Sequence, residues 1–180
     1  QPLPTGMSSV AEYMEFETER ADFAVERWKS ALNEKLPGGI EVISTRELPD
    51  EGKAVAALVT RARYRISMPF FRLYREKSQD YMKRAAIFAE KIQKKTGETR
   101  QIDIRPMIRF FETTSMDNEI IVLDTIIDTG SASNLNPETL TRNFCEYCGE
   151  EYDRSSVRIE RTELFLSQNG EPVSADLFYA

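Results

Sequence analysis

Charged side chains that alternate with apolar residues on two predicted strands are the groups of this sequence that could do chemistry. In the stretch 101–109, isoleucines alternate with Asp103 and Arg105 before Pro106, which predicts a strand with one apolar face. Asp103 and Arg105 would share the other face, about 6–7 Å apart at the usual rise of a strand. The stretch 61–68 alternates in the same way. The candidate binding residues on these two strands are Arg61, Arg63, Arg65, Asp103, Arg105 and Arg109.

Two interpretations of these charged faces stay open from the residues alone. Residues 53–109 contain fifteen Lys or Arg and five Asp or Glu, a local charge of +10 in a chain whose net charge is −6. An RNA or another anionic macromolecule is therefore a candidate ligand. Alternatively, the charges are solvated, pair with one another to set the strand register, or pack against another protein surface. The sequence has no RNP-type motif, which counts against RNA.

A loop of small residues before a predicted helix is the second candidate site. Its residues of interest are Gly130, Ser131, Asn134 and Asn136. Backbone N–H groups at a helix N-terminus favour anions, but the loop lacks the lysine of a Walker-type loop. Capping of the helix by Asn136, with Pro137 at its first position, explains the same residues without a ligand.

Histidine is absent, and the two cysteines form a lone Cys-x-x-Cys at Cys145 and Cys148. This composition excludes Ser-His-Asp and Cys-His catalysis and histidine-ligated zinc. The cysteine pair is either redox-active or part of a helix core. We expect no metal and no cofactor in this chain, and no catalytic motif stands out.

The composition is that of a globular protein, with 41% hydrophobic and 30% charged residues in a chain of 180. No apolar run approaches the roughly 18 residues of a membrane span, so we expect no membrane association. The start lacks a basic n-region and an apolar h-region, and it lacks an initiator Met. We expect a cytoplasmic chain that begins partway through a longer product.

The first fifty residues predict a β-α-β unit. Alternation over 12–18 predicts a strand with Met14 and Phe16 inward. Helical spacing then runs from Val25 through Trp28, and an extended pattern resumes over 40–47. A Pro- and Gly-containing stretch over 47–53 is the best candidate linker.

The remainder predicts strands and helices in the order β-α-β-β-α-β. The predicted elements are a strand at 61–68, a long helix at 73–95, a strand at 101–109, a strand at 119–128, a helix from 137 to about 148 and a strand at 157–166. This is the ferredoxin-like arrangement, an antiparallel sheet with helices on one face. The fold class is therefore α+β. The domains are a β-α-β unit at 1–50, half of a second ferredoxin-like domain, then a ferredoxin-like domain at 51–168 and a tail at 169–180.

The predicted strand at 119–128 is apolar on both faces. Ile121, Leu123 and Ile127 face one way, and Ile120, Val122 and Ile126 face the other. Because a strand of this kind is usually buried on both sides, the 12–47 unit is expected to cover its second face.

Short motifs recur in order along the chain. They are Pro2-Leu3-Pro4-Thr5-Gly6 with Glu12-Tyr13, Leu32-Asn33 with Leu36-Pro37-Gly38-Gly39-Ile40, Ala57-Leu58-Val59 with Tyr64-Arg65, Asp103-Ile104-Arg105-Pro106, Gly130-Ser131 with Asn134-Leu135 and Pro137-Glu138, and Arg161-Thr162-Glu163-Leu164. The ordered set, from residue 2 to about 166, resembles the radical-SAM-linked protein family. That family is a bacterial domain of unknown function, fused to the C-terminus of a radical SAM protein or encoded beside one.

The resemblance implies a partner more than a reaction. The partner would be a radical SAM protein that holds the iron–sulfur cluster and S-adenosylmethionine, since two cysteines are fewer than a cluster requires. Members of that family usually carry a further N-terminal portion that this chain lacks. We therefore expect an accessory module that presents or binds RNA, or another anionic macromolecular substrate, for the radical SAM enzyme. The alternatives are a nucleic-acid-modifying enzyme domain completed by the missing portion, or a structural module that forms homodimers.

Overall fold

The computed structural model describes residues 3–19, 24–48, 53–92, 97–116 and 119–178. A six-stranded sheet forms its centre. The strands of this main sheet are β1 (Ser8–Ser9), β2 (Val59–Pro69), β5 (Ile108–Met116), β6 (Ile120–Asp128), β7 (Arg158–Gln168) and β8 (Glu171–Ser174), and the strands of a separate hairpin are β3 (Phe88–Ile92) and β4 (Thr99–Asp103). The helices are α1 (Val25–Asn33), α2 (Val55–Leu58), α3 (Tyr74–Lys83), α4 (Pro137–Cys148) and α5 (Ala175–Phe178).

The four long strands of the main sheet are antiparallel and lie in the order β7-β2-β6-β5. The short strand β1 pairs with β7 in parallel, and β8 pairs with β7 antiparallel. Alternation in β2 determines its faces as predicted, because Ala62, Tyr64, Ile66 and Met68 are all buried. The predicted strand at 61–68 is thus confirmed.

Helices α3 and α4 cover one face of the main sheet. Ser78 of α3 accepts a hydrogen bond of 2.9 Å from Thr113 of β5. The ring of Phe111, also on β5, lies 5.5 Å from Tyr81 and 5.1 Å from Phe144 of α4, centroid to centroid. We call this side of the sheet the helix face and the other side the open face.

The predicted α+β class is confirmed. From β2 to β7 the chain follows the strand-helix-strand-strand-helix-strand order of the prediction, with the β3–β4 hairpin inserted after α3. Helix α4 begins and ends as predicted. The side chain of Asn136 accepts the N–H of Glu138, and Gly149 ends the helix with a φ of +82°.

The long helix predicted over 73–95 is wrong. Helix α3 ends at Lys83, and the chain then turns into β3. Around this strand the burial has a period of two, since Ile87 and Ala89 are buried while Phe88 is 55% exposed. Residues 93–95 of the predicted helix lie outside the described residues.

The additional β-α-β unit predicted at the N-terminus is not formed. Neither 12–18 nor 40–47 is a strand, and α1 is the one part of the prediction that is present. Met14 and Phe16 are largely exposed rather than inward, although Phe16 stacks edge-on against half-buried Trp28 with ring centroids 5.2 Å apart. Part of the predicted linker 47–53 lies outside the described residues. The predicted tail contains β8 and α5.

The second face of β6 is not covered as the sequence predicts. Ile121, Leu123 and Ile127 are fully buried on the helix face. On the open face, Ile126 is half-buried and Ile120 is 40% exposed. Ile126 lies opposite Arg63 of β2, and Ile120 lies between Pro69 of β2 and Met116 of β5.

Candidate functional site

The open face brings together arginines from the predicted site and carboxylates from other strands. Residues that pair across antiparallel strands point to the same face. In the strand register, Arg61 lies directly opposite Asp128 of β6. Arg63 lies directly opposite Glu163 of β7. Arg65 of β2 lies between its cross-strand partners Asp124 and Glu160.

Arg63 and Asp124 form a bidentate ion pair at the centre of the open face. The guanidinium Nε and Nη2 donate to the two carboxylate oxygens at 2.8 and 2.6 Å. The Cζ atom of Arg63 also lies 5.7 Å from the centroid of the Phe110 ring on β5. The hydrogen bond to Asp124 raises the pKa of Arg63, so this cation stays charged and held in one geometry.

Arg109 and Asp128 form a second bidentate pair near the end of the same face. Nε and Nη2 of Arg109 donate to the carboxylate at 2.8 Å each, and the hydroxyl of Ser133 donates to it at 2.9 Å. The hydrogen bond to Asp128 raises the pKa of Arg109. The strand β5 has a bulge between Ile108 and Phe110, which leaves Arg109 without a cross-strand partner in the register. The bulge frees the Arg109 side chain to form the ion pair with Asp128.

A shallow depression of about 310 Å³ lies beside the central pair. Its lining residues are Arg63, Arg65, Asp124, Thr162 and Glu163. Among the described residues, neither the exposed Arg65 nor Glu163 makes an ion pair within the chain. The depression therefore offers, next to a fixed ion pair, one cation and one anion that form no ion pair with the described part of the chain.

Asp103 and Arg105 do not belong to this surface. A continuous strand over 101–109, as predicted, is wrong, because β4 ends at Asp103, a 3₁₀ turn spans Arg105–Met107 and β5 begins at Ile108. The carboxylate of Asp103 accepts the N–H groups of Ile87 at 2.9 Å and of Arg105 at 3.0 Å. The guanidinium of Arg105 donates to the carbonyl of Met82 at 3.2 Å. These contacts join the hairpin to α3, and a role in binding stays a prediction.

The loop of the second candidate site uses much of its hydrogen-bonding capacity internally. Gly130 N–H donates to the Ser133 carbonyl and Leu135 N–H to the Asp128 carbonyl, both at 2.9 Å. A side chain at Gly130 would place its Cβ 2.7 Å from the Val59 carbonyl oxygen, so the glycine permits close approach of the loop to β2. The remaining loop residues of the prediction are Ser131, which is exposed, and Asn134, whose side-chain oxygen lies 3.5 Å from the Thr129 hydroxyl. Anion binding here stays a prediction.

The two cysteines lie on α4, where Cys145 is buried and Cys148 is half-buried. Burial raises the pKa of Cys145 to about 11 and that of Cys148 to about 12. Both thiols are therefore protonated near neutral pH, which disfavours nucleophilic chemistry. Within the described ranges there is no group of three or more Cys, Asp or Glu that could hold a metal ion.

The carboxylates of the open face were not among the residues predicted for the site. Alternation alone could place Asp124 on the second face of its strand, beside Ile126. It could not show that Arg63 would be its partner, because the pairing depends on the register between β2 and β6.

A protein-family model matches residues 1–137, which run from the N-terminal segment through β6 to the first residue of α4. The chain belongs to this family. It is described as an uncharacterized protein conserved in bacteria (DUF2344). No curated protein and no solved structure matches the chain. Among the described residues, no helix is both long and apolar enough to cross a membrane.

Proposed function

We propose that this domain is an accessory module that docks on a partner protein through the open face, and that the partner is a radical SAM enzyme. The observation that carries the proposal is the arrangement of charge on this face. Arginines of β2 lie there beside carboxylates of β6 and β7, and the central arginine is held by two hydrogen bonds to Asp124. A surface of this kind complements another mixed surface and disfavours wrong partners by like-charge contacts.

Preorganisation supports docking on a protein. A guanidinium has five N–H donors, so Arg63 can contact a partner while it remains bound to Asp124. Little side-chain entropy is then lost on binding. Beside Arg63, the Arg65 cation can contact an acidic group of a partner, and the Glu163 carboxylate can contact a basic one.

The choice of partner rests on the family resemblance. In this proposal the radical SAM enzyme holds the iron–sulfur cluster and S-adenosylmethionine, and the present chain positions the substrate or the enzyme. The chain has two cysteines, both with raised pKa values, and a cluster takes more ligands than that.

Exchange of the two charges in the central pair tests the docking surface. The combined change Arg63→Asp and Asp124→Arg keeps an ion pair within the sheet but reverses the charges that a partner meets. After the exchange the two new side chains face like charges, Glu163 and Arg65, across the strands. Because both positions are about one-third exposed, we expect a fall of only about 1 kcal/mol in the free energy of urea unfolding. Binding of a radical SAM protein to the chain, measured by calorimetry, should weaken roughly tenfold or more.

The matched control exchanges an ion pair on the opposite side of the molecule. Asp80 and Lys83 of α3 form an exposed pair at 3.2 Å, so Asp80→Lys with Lys83→Asp should leave partner binding unchanged. Equal binding by the wild-type chain and the open-face exchange would overturn the proposed surface.

Presentation of RNA or another anionic macromolecule is a second candidate function. Cations on the helix face favour RNA binding. Lys77 Nζ lies 5.5 Å from the ring centroid of Tyr147, and Arg84 Cζ lies 5.2 Å from it. Nucleotide bases stack on such aromatic and cationic groups. Loss of both cations, as Lys77→Glu and Arg84→Glu, should weaken binding of labelled single-stranded RNA and lower the salt slope by roughly one per cation. An unchanged slope would exclude this surface.

A further inference from the structure

The two edge strands of the main sheet differ in how much of their outer side is paired with other strands. The outer edge of β7 is partly closed, because β1 pairs with it at Glu160 and Arg161 and β8 pairs with it over 165–168. The opposite edge is β5, and eight of its nine residues pair with β6 on one side. Among the described residues, no strand pairs with the other side of β5.

Beyond the bulge at one end, β5 lacks the usual features that protect an edge. Natural edges are blocked by lysine, proline, bulges or short length. Here a bulge at Arg109 disturbs one end of the strand, but the following stretch, 110–116, contains a single charged residue, Glu112. At its far end, Met116 is 53% exposed and its neighbour Ile120 is 40% exposed. A long, nearly uncharged edge with an apolar end is a ready template for another strand.

We propose that this edge pairs with the same edge of a second copy of the chain, in antiparallel orientation about a two-fold axis. Self-complementarity of β5 selects this occupant. When Thr113 pairs with its own copy, Phe110 faces Met116 of the second chain, and Glu112 faces Thr114. Both apolar ends of the strand are then covered, and no like charges lie directly opposite each other.

The two-fold axis of this arrangement is normal to the sheet. Residues that face each other across antiparallel strands share a face, so the helices of both copies lie on one side and the two open faces join on the other. The dimer therefore has a continuous sheet of eight long strands, and its open surface is twice that of one copy. This inference does not depend on docking of a radical SAM enzyme.

Two substitutions of Thr114, one to glutamate and one to lysine, test the inference. Thr114 is exposed at the open side of the edge strand, so neither a lysine nor a glutamate should disturb the fold. In the dimer each residue 114 faces Glu112 of the other copy. Thr114→Glu should therefore raise the dimer Kd roughly tenfold, and Thr114→Lys should lower it by a similar factor, because two symmetric pairs change together.

The measurements are sedimentation equilibrium and light scattering of the isolated chain. Leu177→Glu is the matched control, since Leu177 is 68% exposed on α5 and should leave the Kd unchanged. A wild-type chain that stays monomeric at its solubility limit would overturn the inference, as would equal shifts from both Thr114 variants. Partner docking would be unaffected by either result, because its test varies Arg63 and Asp124 and measures a different complex.

Discussion

Arginines that are already bound to carboxylates are the defining residues of the candidate surface. Arg63 and Arg109 each use two donors on an aspartate of β6, which leaves further N–H groups free for a ligand. Their planar groups are fixed before any partner arrives. A lysine at either position would keep the charge and lose this geometry.

Titration of the two thiols predicts a specific dependence of stability on pH. Burial raises the pKa of Cys145 from its ordinary value of 9.0 to about 11 and that of Cys148 to about 12. Above about pH 9 the unfolded chain therefore loses protons that the folded chain retains. The contribution of the thiols is complete below pH 9 and decreases as the pH rises towards 11 and 12. Urea unfolding measured between pH 8 and 11 should show this fall in the free energy of unfolding.

Other groups titrate in the same alkaline range, so the comparison requires a thiol-free chain. In the double variant Cys145→Ala and Cys148→Ala, the alkaline loss of stability should be smaller than in the wild-type chain. Identical slopes for the two proteins would contradict the assignment of raised pKa values to these thiols.

The β3–β4 hairpin is the element in which local sequence and tertiary structure disagree. Residues after Lys83 include good helix formers, and helix propensity is a weak preference that packing overrides. Here Ile87 and Ala89 are buried against the domain core. The Ile104 N–H donates to the Ile87 carbonyl at 2.7 Å, so the hairpin is closed at its base by contacts that a continuous helix could not make.

Asp103 is the acceptor on which this closure depends. Asp103→Ala removes the acceptor of two backbone N–H groups and should lower the free energy of unfolding by about 2 kcal/mol. Asp103→Asn keeps a side-chain oxygen at the same position and should cost much less. Urea denaturation separates the two variants. Equal losses would show that the negative charge, rather than the hydrogen bonds, is what the fold requires.

At the scale of the whole molecule, part of the charge asymmetry of the sequence is cancelled in space, on the open face. The arginines of β2 come from the basic region 53–109, and the carboxylates beside them come from β6 and β7. Strands that are distant in sequence thus neutralise each other. A polyanion meets a much smaller potential on the open face than the local charge of +10 suggests.

A buried arginine joins the N-terminal segment to the main sheet. The side chain of Arg161 is 2% exposed, and its Nη1 donates to the Glu12 carboxylate at 2.7 Å. Its Nε donates to the Tyr64 hydroxyl at 3.2 Å. Next to this pair, the Tyr13 hydroxyl donates to Asp176 at 2.6 Å. These contacts hold a segment that has almost no strand pairing of its own.

Loss of the carboxylate should therefore destabilise the whole fold. Glu12→Ala leaves a buried guanidinium without its counter-charge, which is costly. Because Glu12 is 46% exposed, we expect a loss of about 1–2 kcal/mol in the free energy of unfolding, smaller than for a fully buried pair. Glu17→Ala, at an exposed position of the same segment, is the control and should change the unfolding midpoint little. A Glu12 variant as stable as this control would contradict the anchoring role.

The sequence by itself determined the elements that depend on short-range pattern. The period-two burial of β2, the limits of α4 between Asn136 and Gly149, and the α+β class all follow from residues close in the chain. The same reasoning failed for the N-terminal β-α-β unit and for the helix at 73–95. In both regions an apolar pattern was present, but the partners it would need were elsewhere or absent among the described residues.

Only the tertiary structure decided what the charged residues face. The alternation of β2 shows that Arg61, Arg63 and Arg65 share a side, and any register with β6 would satisfy that alternation. The register that packs Ile66 beside Leu123 also places Asp124 within reach of Arg63. Burial of apolar side chains therefore sets the register, and the ion pairs of the open face follow from it.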